Sequence, residues 1–285
     1  MNTSRRTFLK TVAAAGAAAA LPACSRAAMT KDGLFPAGPN FHTSPLASVM
    51  ISGGTITKNG KFTDAVRAAH KLHYGDRKKI LLVLHATEPA KRDADERKLR
   101  ELFADDHFEA ESLHHWEGDA ALEKMAQAEA FFVSGGETFL LLRTLIETGQ
   151  LALLRERVLA GVPYNGSSAG CNVAGPNIGC TNDFPVVDVP TRRSLGIFPA
   201  VTNPHHPRSD EPDYAGRVNK VKIYCRLNPA ETVLGIANAA VARLHQGQVT
   251  IEHGPAFYYH AGQEYELKDG PVPELTALVT AGAVT

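Results

Sequence analysis

Short apolar runs and amphipathic stretches alternate along the chain after about residue 30. The apolar runs LASVMISGG, KKILLVLHA and AEAFFVSGG have the length and composition of buried strands. The stretches TDAVRAAHKLHY, DADERKLRELFADD, ETFLLLRTLIETG and LALLRERVLAG have the apolar spacing of helices. Strands that alternate with helices through short links predict a mostly parallel sheet with helices on both faces. We therefore expect a doubly wound α/β fold.

Residues 29–285 show no internal repeat, no low-complexity linker and no break in composition, so we expect one α/β domain. Near its end, TVLGIANAAVARLHQGQVTIEHGPAFYYH predicts antiparallel hairpins around HQGQ and EHGPA. Two of the predicted strands end in glycine pairs, Gly53–Gly54 and Gly135–Gly136. Ligands of such sheets bind beyond the carboxyl ends of the strands, so these two turns are expected at the functional edge.

Residues 1–28 have the pattern of an export signal rather than of a folded element. The paired arginines Arg5 and Arg6 precede an alanine-rich apolar run that is too short to span a membrane as a stable helix. This pattern predicts export by the twin-arginine route. The run ends in LPAC, and a small residue before Cys24 is typical of lipoprotein cleavage and acylation. Plain cleavage at a neighbouring alanine is the alternative, so we expect a periplasmic protein or a lipoprotein that contacts the membrane only through Cys24.

Composition narrows the range of partners. The chain has 285 residues, 44% of them hydrophobic, and a formal net charge of +0, which argues against nucleic acid as a partner. The four cysteines show no C-x-x-C spacing, and neither His114–His115 nor His205–His206 has the H-E-x-x-H spacing. No metal site is therefore predicted. The sequence leaves open the oligomeric state and any disulfide pairing.

The segment YNGSSAGCNVAG contains a G-x-S-x-G pattern centred on Ser168. This pattern is typical of a serine on a sharp strand-to-helix turn, and a plain tight turn that needs small residues is the alternative reading. A serine nucleophile needs a base, and the base needs a group that orients it. Downstream, Asp183 and Asp188 are candidate acids, and the pair His205–His206 offers two candidate bases.

Three segments, VSGGETFLLLR, YNGSSAGCNVAGPNIGCTNDFPVVD and LGIFPAVTNPHH, together resemble the dipeptidase E family, the aspartyl dipeptidases among serine peptidases. The resemblance implies a doubly wound fold similar to that of class I glutamine amidotransferases, and it implies no metal or organic cofactor. It also implies a catalytic triad. The family's S-A-G serine falls on Ser168, its T-N-D aspartate on Asp183 and its N-P-H histidine on His205.

The remaining predicted site residues stabilise the tetrahedral intermediate or bind the substrate. A tetrahedral intermediate needs backbone N–H donors, and the residue after the nucleophile, Ala169, supplies one. The resemblance places the second donor on Gly136. It also implies an arginine beyond the catalytic histidine that binds the carboxylate of an N-terminal aspartate, and Arg217 is the best match.

The chain departs from the family pattern at several positions. Ser167 stands where tryptophan is frequent, Glu137 stands where asparagine is common, and GIANAA lacks the glutamate often found in that strand. Our interpretation is an exported serine peptidase that hydrolyses small peptides with an N-terminal aspartate. A cyanophycinase-like enzyme or an esterase on the same scaffold is one alternative. A binding lipoprotein that has lost turnover is another.

Overall fold

A computed structural model describes residues 41 and 44–282 of the chain. The export signal predicted over residues 1–28 lies outside the described residues, as do Arg5, Arg6 and Cys24. No helix in the described part of the chain is both long enough and apolar enough to cross a membrane.

The strands and helices follow the predicted alternation over the first two thirds of the domain. The strands are β1 (Ser48–Ser52), β2 (Thr57–Lys58), β3 (Lys61–Phe62), β4 (Lys79–Val83), β5 (Glu109–Ser112), β6 (Phe131–Val133), β7 (Tyr164–Ser167), β8 (Val201–Pro204), β9 (Val233–Ile236), β10 (Val241–His245), β11 (Gln248–His253), β12 (Ala256–His260), β13 (Gln263–Leu267) and β14 (Gly270–Pro271). The α-helices are α1 (Asp64–Tyr74), α2 (Arg92–Asp105), α3 (Gly118–Ala126), α4 (Thr138–Glu147), α5 (Gln150–Leu159), α6 (Ala169–Ala174), α7 (Tyr214–Leu227) and α8 (Pro273–Gly282). Two 3₁₀ turns span Pro89–Lys91 and Leu113–His115.

Among the described residues, the main sheet has eight strands in the order β14-β11-β10-β1-β7-β6-β4-β5. The neighbouring strands β1, β7, β6, β4 and β5 pair in parallel. The strands β1, β10, β11 and β14 pair antiparallel. This mixed α/β architecture with a large, partly parallel sheet is the predicted fold class. The carboxyl ends of β1, β6 and β7 are neighbours, because these three strands pair in register.

A second sheet, which the sequence did not predict, has four strands within residues 44–282, in the order β13-β12-β9-β8. The turn HQGQ joins β10 to β11 as a hairpin, as predicted. The hairpin predicted around EHGPA is wrong, because this segment links β11 to β12 and the two strands lie in different sheets. Strand β12 instead pairs with β13 and β9.

The central strands of the main sheet are buried, which explains why apolar runs predicted β1, β4 and β6. Every residue of β1, β6 and β7 is buried. Strand β5 escaped prediction because its sequence EAES is polar, and it lies at the edge of the sheet, where charged side chains are common. Cys171, Cys180 and Cys225 are buried and free.

An aromatic cluster packs against one part of the sheet, and Phe103 of α2 lies within it. The ring centroid of Phe103 lies 5.0 Å from that of Phe62 and 5.2 Å from that of Phe132, both in edge-to-face arrangements. The imidazole of His70 stacks on the same ring at 5.5 Å. Burial lowers the pKa of His70 to about 3, so this histidine is neutral and belongs to the core.

Candidate active site

Ser168 lies at a sharp turn between β7 and α6. Its backbone has φ 53° and ψ −107°, a conformation that a residue with a side chain rarely adopts. The turn is held on both sides, because the Ser168 N–H donates to the carbonyl of Ser52 (3.2 Å) and its carbonyl accepts from the N–H of Asn172 (3.0 Å). Strain of this kind persists where the surrounding structure imposes it, and it is frequent at active sites.

The glycines on either side of Ser168 are required by close backbone contacts. A Cβ atom on Gly166 would overlap the carbonyl of Gly170, and one on Gly170 would overlap the carbonyl of Val133. The G-x-S-x-G pattern was read either as a nucleophile turn or as a plain tight turn, and the structure is compatible with both readings. The turn needs small residues, and the same turn presents the Ser168 hydroxyl at the end of β7.

His205 follows β8 and faces Ser168. The distance between Ser168 Oγ and His205 Nε2 is 2.8 Å, which is a hydrogen bond. His205 has a φ of 52°, and its N–H donates to the carbonyl of Gly53 at 2.7 Å. A Cβ atom on Gly54 would overlap the imidazole, so the glycine pair after β1 makes room for the histidine ring.

Asn238 occupies the other side of the His205 ring, and the sequence analysis did not identify it. Its Oδ1 lies 2.7 Å from His205 Nδ1. An Oδ1 acceptor fixes the proton on Nδ1 and leaves the Nε2 lone pair facing the serine hydroxyl. The N–H of Ala239 donates to Gly54 (2.8 Å), so the glycine turn that accommodates the ring also holds the Asn238 loop. The signal was present in GIANAA, since the family's glutamate is expected in this segment and Asn238 is its polar residue.

Asp183 does not take the predicted place beside His205, and this prediction is corrected. Its Oδ2 accepts a hydrogen bond from the backbone N–H of Thr138 at 2.9 Å. Thr138 is the first residue of α4, so the carboxylate caps this helix and interacts favourably with its dipole. The Nδ1 atom that an orienting acid would bind is already paired with Asn238. The other candidate acid, Asp188, is exposed.

His206 belongs to the core, although it is adjacent to His205. It is 1% exposed, and its ring stacks on Phe257 at a centroid distance of 4.3 Å. Nδ1 lies 2.8 Å from the carbonyl of Pro207, and Nε2 lies 2.8 Å from the hydroxyl of Tyr259. Burial lowers the pKa of His206 to about 4. The structure thus places His205, and not His206, against Ser168.

The second glycine pair lies next to the nucleophile. A Cβ atom on Gly135 would be 3.0 Å from the Cβ of Ser168, so only a glycine brings this turn so close. Gly136 has a φ of 130° and packs against the backbone of Ala86. Ala169 is the first residue of α6, where backbone N–H groups have no partner within the helix. The predicted oxyanion donors, Gly136 and Ala169, thus lie in segments that flank Ser168.

Arg217 of α7 contacts the histidine segment. Its Nη1 donates to Asn203 Oδ1 at 3.0 Å and to the carbonyl of His205 at 3.3 Å. Its side chain is half-buried, and desolvation lowers its pKa from the usual value. Among the described residues, no carboxylate forms an ion pair with this guanidinium. Arg217 therefore braces His205 and keeps a partly desolvated positive charge near the site.

Comparison with known proteins identifies the family. The sequence profile described as Peptidase family S51 matches residues 48–252, more than half of the chain.

The chain belongs to peptidase family S51.

The resemblance to dipeptidase E is thereby confirmed. The chain is 32% identical to Peptidase E of Shewanella denitrificans over 190 residues, which are 66% of this chain and 80% of that protein. It is 31% identical to Peptidase E of a Nostoc species, covering 66% of this chain and 78% of that protein. A profile of the twin-arginine translocation signal matches residues 2–22, so the chain carries a twin-arginine export signal.

Two solved structures share the fold. A peptidase from an acI-B1 actinobacterium superposes with a TM-score of 0.60 at 18% identity, over 79% of this chain and 96% of that one. A candidate peptidase E from Listeria monocytogenes superposes with a TM-score of 0.53 at 17% identity, over 78% of this chain and 98% of that one. At these identities the likeness concerns the fold.

Proposed function

We propose that this protein is a serine peptidase that hydrolyses small peptides, with Ser168 as nucleophile and His205 as base. One observation carries the proposal: the hydroxyl of Ser168 lies 2.8 Å from His205 Nε2 at a strained strand-to-helix turn. A serine hydroxyl is a weak nucleophile until a neighbouring base accepts its proton. Membership of peptidase family S51 supports peptide bonds as the substrate class.

The proposed reaction proceeds through an acyl-enzyme. Ser168 Oγ attacks the peptide carbonyl while His205 Nε2 takes the hydroxyl proton. The imidazolium then donates this proton to the leaving amine, and the peptide C–N bond breaks. Water enters, gives a proton to His205 and attacks the ester. The acid product leaves, and the proton returns to Ser168.

Asn238 serves as the orienting residue in this proposal. An amide oxygen at 2.7 Å from Nδ1 can hold the tautomer that the reaction needs. It carries no charge, so it stabilises the imidazolium less than a carboxylate would. A histidine oriented by an asparagine also occurs in papain-like cysteine proteases. In this proposal Asp183 does not contact His205; it caps helix α4, which follows the Gly135–Gly136 turn.

The backbone N–H groups of Ala169 and Gly136 are the proposed oxyanion donors. Ala169 directly follows the nucleophile, at the amino end of α6, where the helix dipole also favours negative charge. The turn that carries Gly136 contacts Ser168 through Gly135. The positive φ of Gly136 reserves this position for a residue without a side chain.

Arg217 is proposed to bind the carboxylate of an N-terminal aspartate. The half-buried guanidinium makes hydrogen bonds through Nη1 and has no carboxylate partner in the described part of the chain. A partly desolvated arginine is stabilised by a two-point contact with a carboxylate. This argument favours acidic substrates over neutral ones.

The export signal raises the question of where the protein resides. We propose that Cys24 is acylated, so that the exported domain stays attached to the membrane; release as a free periplasmic protein is the alternative. Fractionation separates the two. A membrane-bound wild type that becomes soluble in Cys24→Ala supports the anchor, and a wild type that is already soluble in the periplasm refutes it.

A panel of substrates tests the proposed function. We expect the protein to hydrolyse Asp-Xaa dipeptides, to cleave neutral Xaa-Xaa dipeptides more slowly, and to lose both activities in Ser168→Ala. Preferred hydrolysis of cyanophycin or of p-nitrophenyl esters would assign another hydrolase activity to the same site. Tight peptide binding without turnover would identify a binding protein.

A further inference from the structure

Four potential metal ligands lie together at the outer edge of the main sheet, on α2 and on the 3₁₀ turn that follows the edge strand β5. Asp93 and Glu96 are three residues apart in the first turns of α2 and so share one face of that helix. His114 and His115 follow directly after β5. The hydrogen bonds of these four residues, as described here, do not involve the elements that carry Ser168 or His205.

The four ligand atoms already have nearly the spacing of a metal site. His114 Nε2 lies 2.9 Å from Asp93 Oδ1, and His115 Nε2 lies 2.6 Å from Glu96 Oε2. With one ligand atom taken from each of the four residues, the four atoms lie within 4.8 Å of one another. Ligands of tetrahedral Zn²⁺ at their usual distances are separated by about 3.3 Å. The longest separation must therefore shorten by about 1.5 Å and the two short pairs must lengthen by about half an ångström, which small side-chain rotations can supply.

Ser112 supports two of the ligands from behind. Its hydroxyl lies 2.6 Å from His114 Nδ1, and its backbone N–H donates to Glu96 Oε1 at 3.0 Å. The Nε2 of His114 and the Oε2 of Glu96 therefore both face away from Ser112 and toward the cluster. Glu96 is 6% exposed, so its carboxylate is fixed in place. Partners of this kind behind the ligands are typical of metal sites.

The charges in the cluster favour a divalent cation. Each imidazole nitrogen faces a carboxylate oxygen, so a proton or a metal ion must lie between the two atoms of each pair. One divalent ion can replace both protons and balance both carboxylates. The side chains of Asp93 and His115 are exposed by 81% and 47%, so an ion can reach the cluster from solvent.

We propose that Asp93, Glu96, His114 and His115 bind one divalent transition-metal ion of the Zn²⁺ class. Two imidazoles and two carboxylates suit such an ion better than Mg²⁺ or Ca²⁺, which take mainly oxygen ligands. Four protein ligands fill a tetrahedral shell, so the site is structural and joins α2 to the end of β5. In the described part of the chain, that strand pairs only with β4 in the sheet.

Zinc binding by the full chain tests the proposal. After treatment with a chelator, the untagged protein is titrated with Zn²⁺ against a chelating indicator, and bound metal is counted by elemental analysis. We expect one Zn²⁺ per chain, and a rise in Tm of about 5–10 °C at a free Zn²⁺ concentration of 100 Kd. His115→Ala and Glu96→Gln should weaken binding by about 100-fold or more.

The control is His260→Ala, which removes an exposed histidine on β12 and should leave binding unchanged. Absence of stoichiometric binding by the wild type would overturn the proposal, as would equal affinity in wild type and cluster variants. If a variant fails to fold, imidazole nitrogen resonances of the wild type give the answer. One equivalent of Zn²⁺ must shift those of His114 and His115, and unchanged resonances would refute the site.

Discussion

Two pairs of adjacent histidines follow strands of this protein, and their surroundings give them different chemistry. His114 and His115 face two carboxylates across hydrogen bonds. In the second pair, His205 lies between a serine hydroxyl and an amide oxygen. His206, its neighbour, is buried against Phe257.

The comparison shows that the partners of an imidazole, rather than its position in a sequence motif, decide what it can do. Carboxylates facing both rings favour a shared cation. A neutral amide on Nδ1 leaves Nε2 free to accept a proton. An apolar environment excludes charge, and burial accordingly lowers the pKa of His206 to about 4.

The largest expected difference separates His205 from His206. His205→Gln should lower kcat by about 10⁴-fold or more, because the base that activates Ser168 is lost. His206→Gln should change kcat by less than about 10-fold, since its ring only packs and forms hydrogen bonds within the second sheet. Steady-state kinetics on an Asp-Xaa dipeptide, with circular dichroism to verify folding, measures both. Equal losses in the two variants would remove the distinction between the two histidines.

The second largest expected difference separates Asn238 from Asp183, the two residues that could orient His205. Asn238→Ala should lower kcat by about 100-fold with little change in KM, because the ring loses its fixed tautomer. Asp183→Asn should keep kcat within about 3-fold, since an amide oxygen can still accept from Thr138 N–H. Asn238→Asp keeps an acceptor at this position and adds a charge that favours the imidazolium, so the acidic limb of the pH–rate profile should move to higher pH. A large loss in Asp183→Asn with full activity in Asn238→Ala would reinstate Asp183.

Arg217 tests whether the charge beside His205 selects substrates. Arg217→Met should reduce kcat/KM for Asp-Xaa peptides by roughly 30-fold, because a two-point ion pair is lost. Neutral dipeptides should be affected much less, and Arg217→Lys should recover little, since an ammonium lacks the planar two-point geometry. Equal reductions for acidic and neutral substrates would mean that Arg217 only braces Asn203 and the backbone of His205.

The smallest expected effect concerns acid stability. The pKa of His206 is about 4 in the folded protein, below the ordinary value of 6.5, because of burial. Between these two pH values the unfolded chain binds a proton that the folded chain excludes. The free energy of unfolding should therefore fall as the pH drops from 6.5 to 4, by on the order of 1–3 kcal/mol for this group.

Urea unfolding at several pH values measures this dependence. His206→Gln should reduce this slope by the contribution of one group, whatever its effect on stability at neutral pH, because burial also lowers the pKa values of His70, His73 and His85, which keep their contributions. The matched substitution His260→Gln, at an exposed position, should leave the slope unchanged. A slope in His206→Gln equal to that of the wild type would contradict a contribution from His206 and leave the acid sensitivity to His70, His73 and His85.

The sequence predicted those parts of the fold that depend on local pattern. The strands β1, β4 and β6 are apolar runs, and the turn at Ser168 follows from its flanking glycines. His205 was selected over His206 by the resemblance of its N-P-H segment to the family, and the structure places it directly after β8. The second sheet was missed, because strand-to-strand pairing such as that of β12 with β9 is a long-range property.

The errors at the site have the same physical origin. Asn238 reaches His205 only because the glycine turn after β1 holds both segments, and no local pattern shows that contact. Asp183 was placed by resemblance, yet its carboxylate caps α4 instead. The carboxylates beside His114 and His115 come from α2, so the spacing of the histidines alone could not reveal the cluster.

The central claim is that Ser168, activated by His205, forms a covalent acyl-enzyme. The most direct measurement is labelling with a fluorophosphonate probe, followed by mass spectrometry of the modified peptide. We expect one label per chain on Ser168, with no label in Ser168→Ala, slow labelling in His205→Gln and normal labelling in Ser167→Ala, which changes the neighbouring serine. Label on Ser167, or undiminished labelling of Ser168→Ala, would contradict the account.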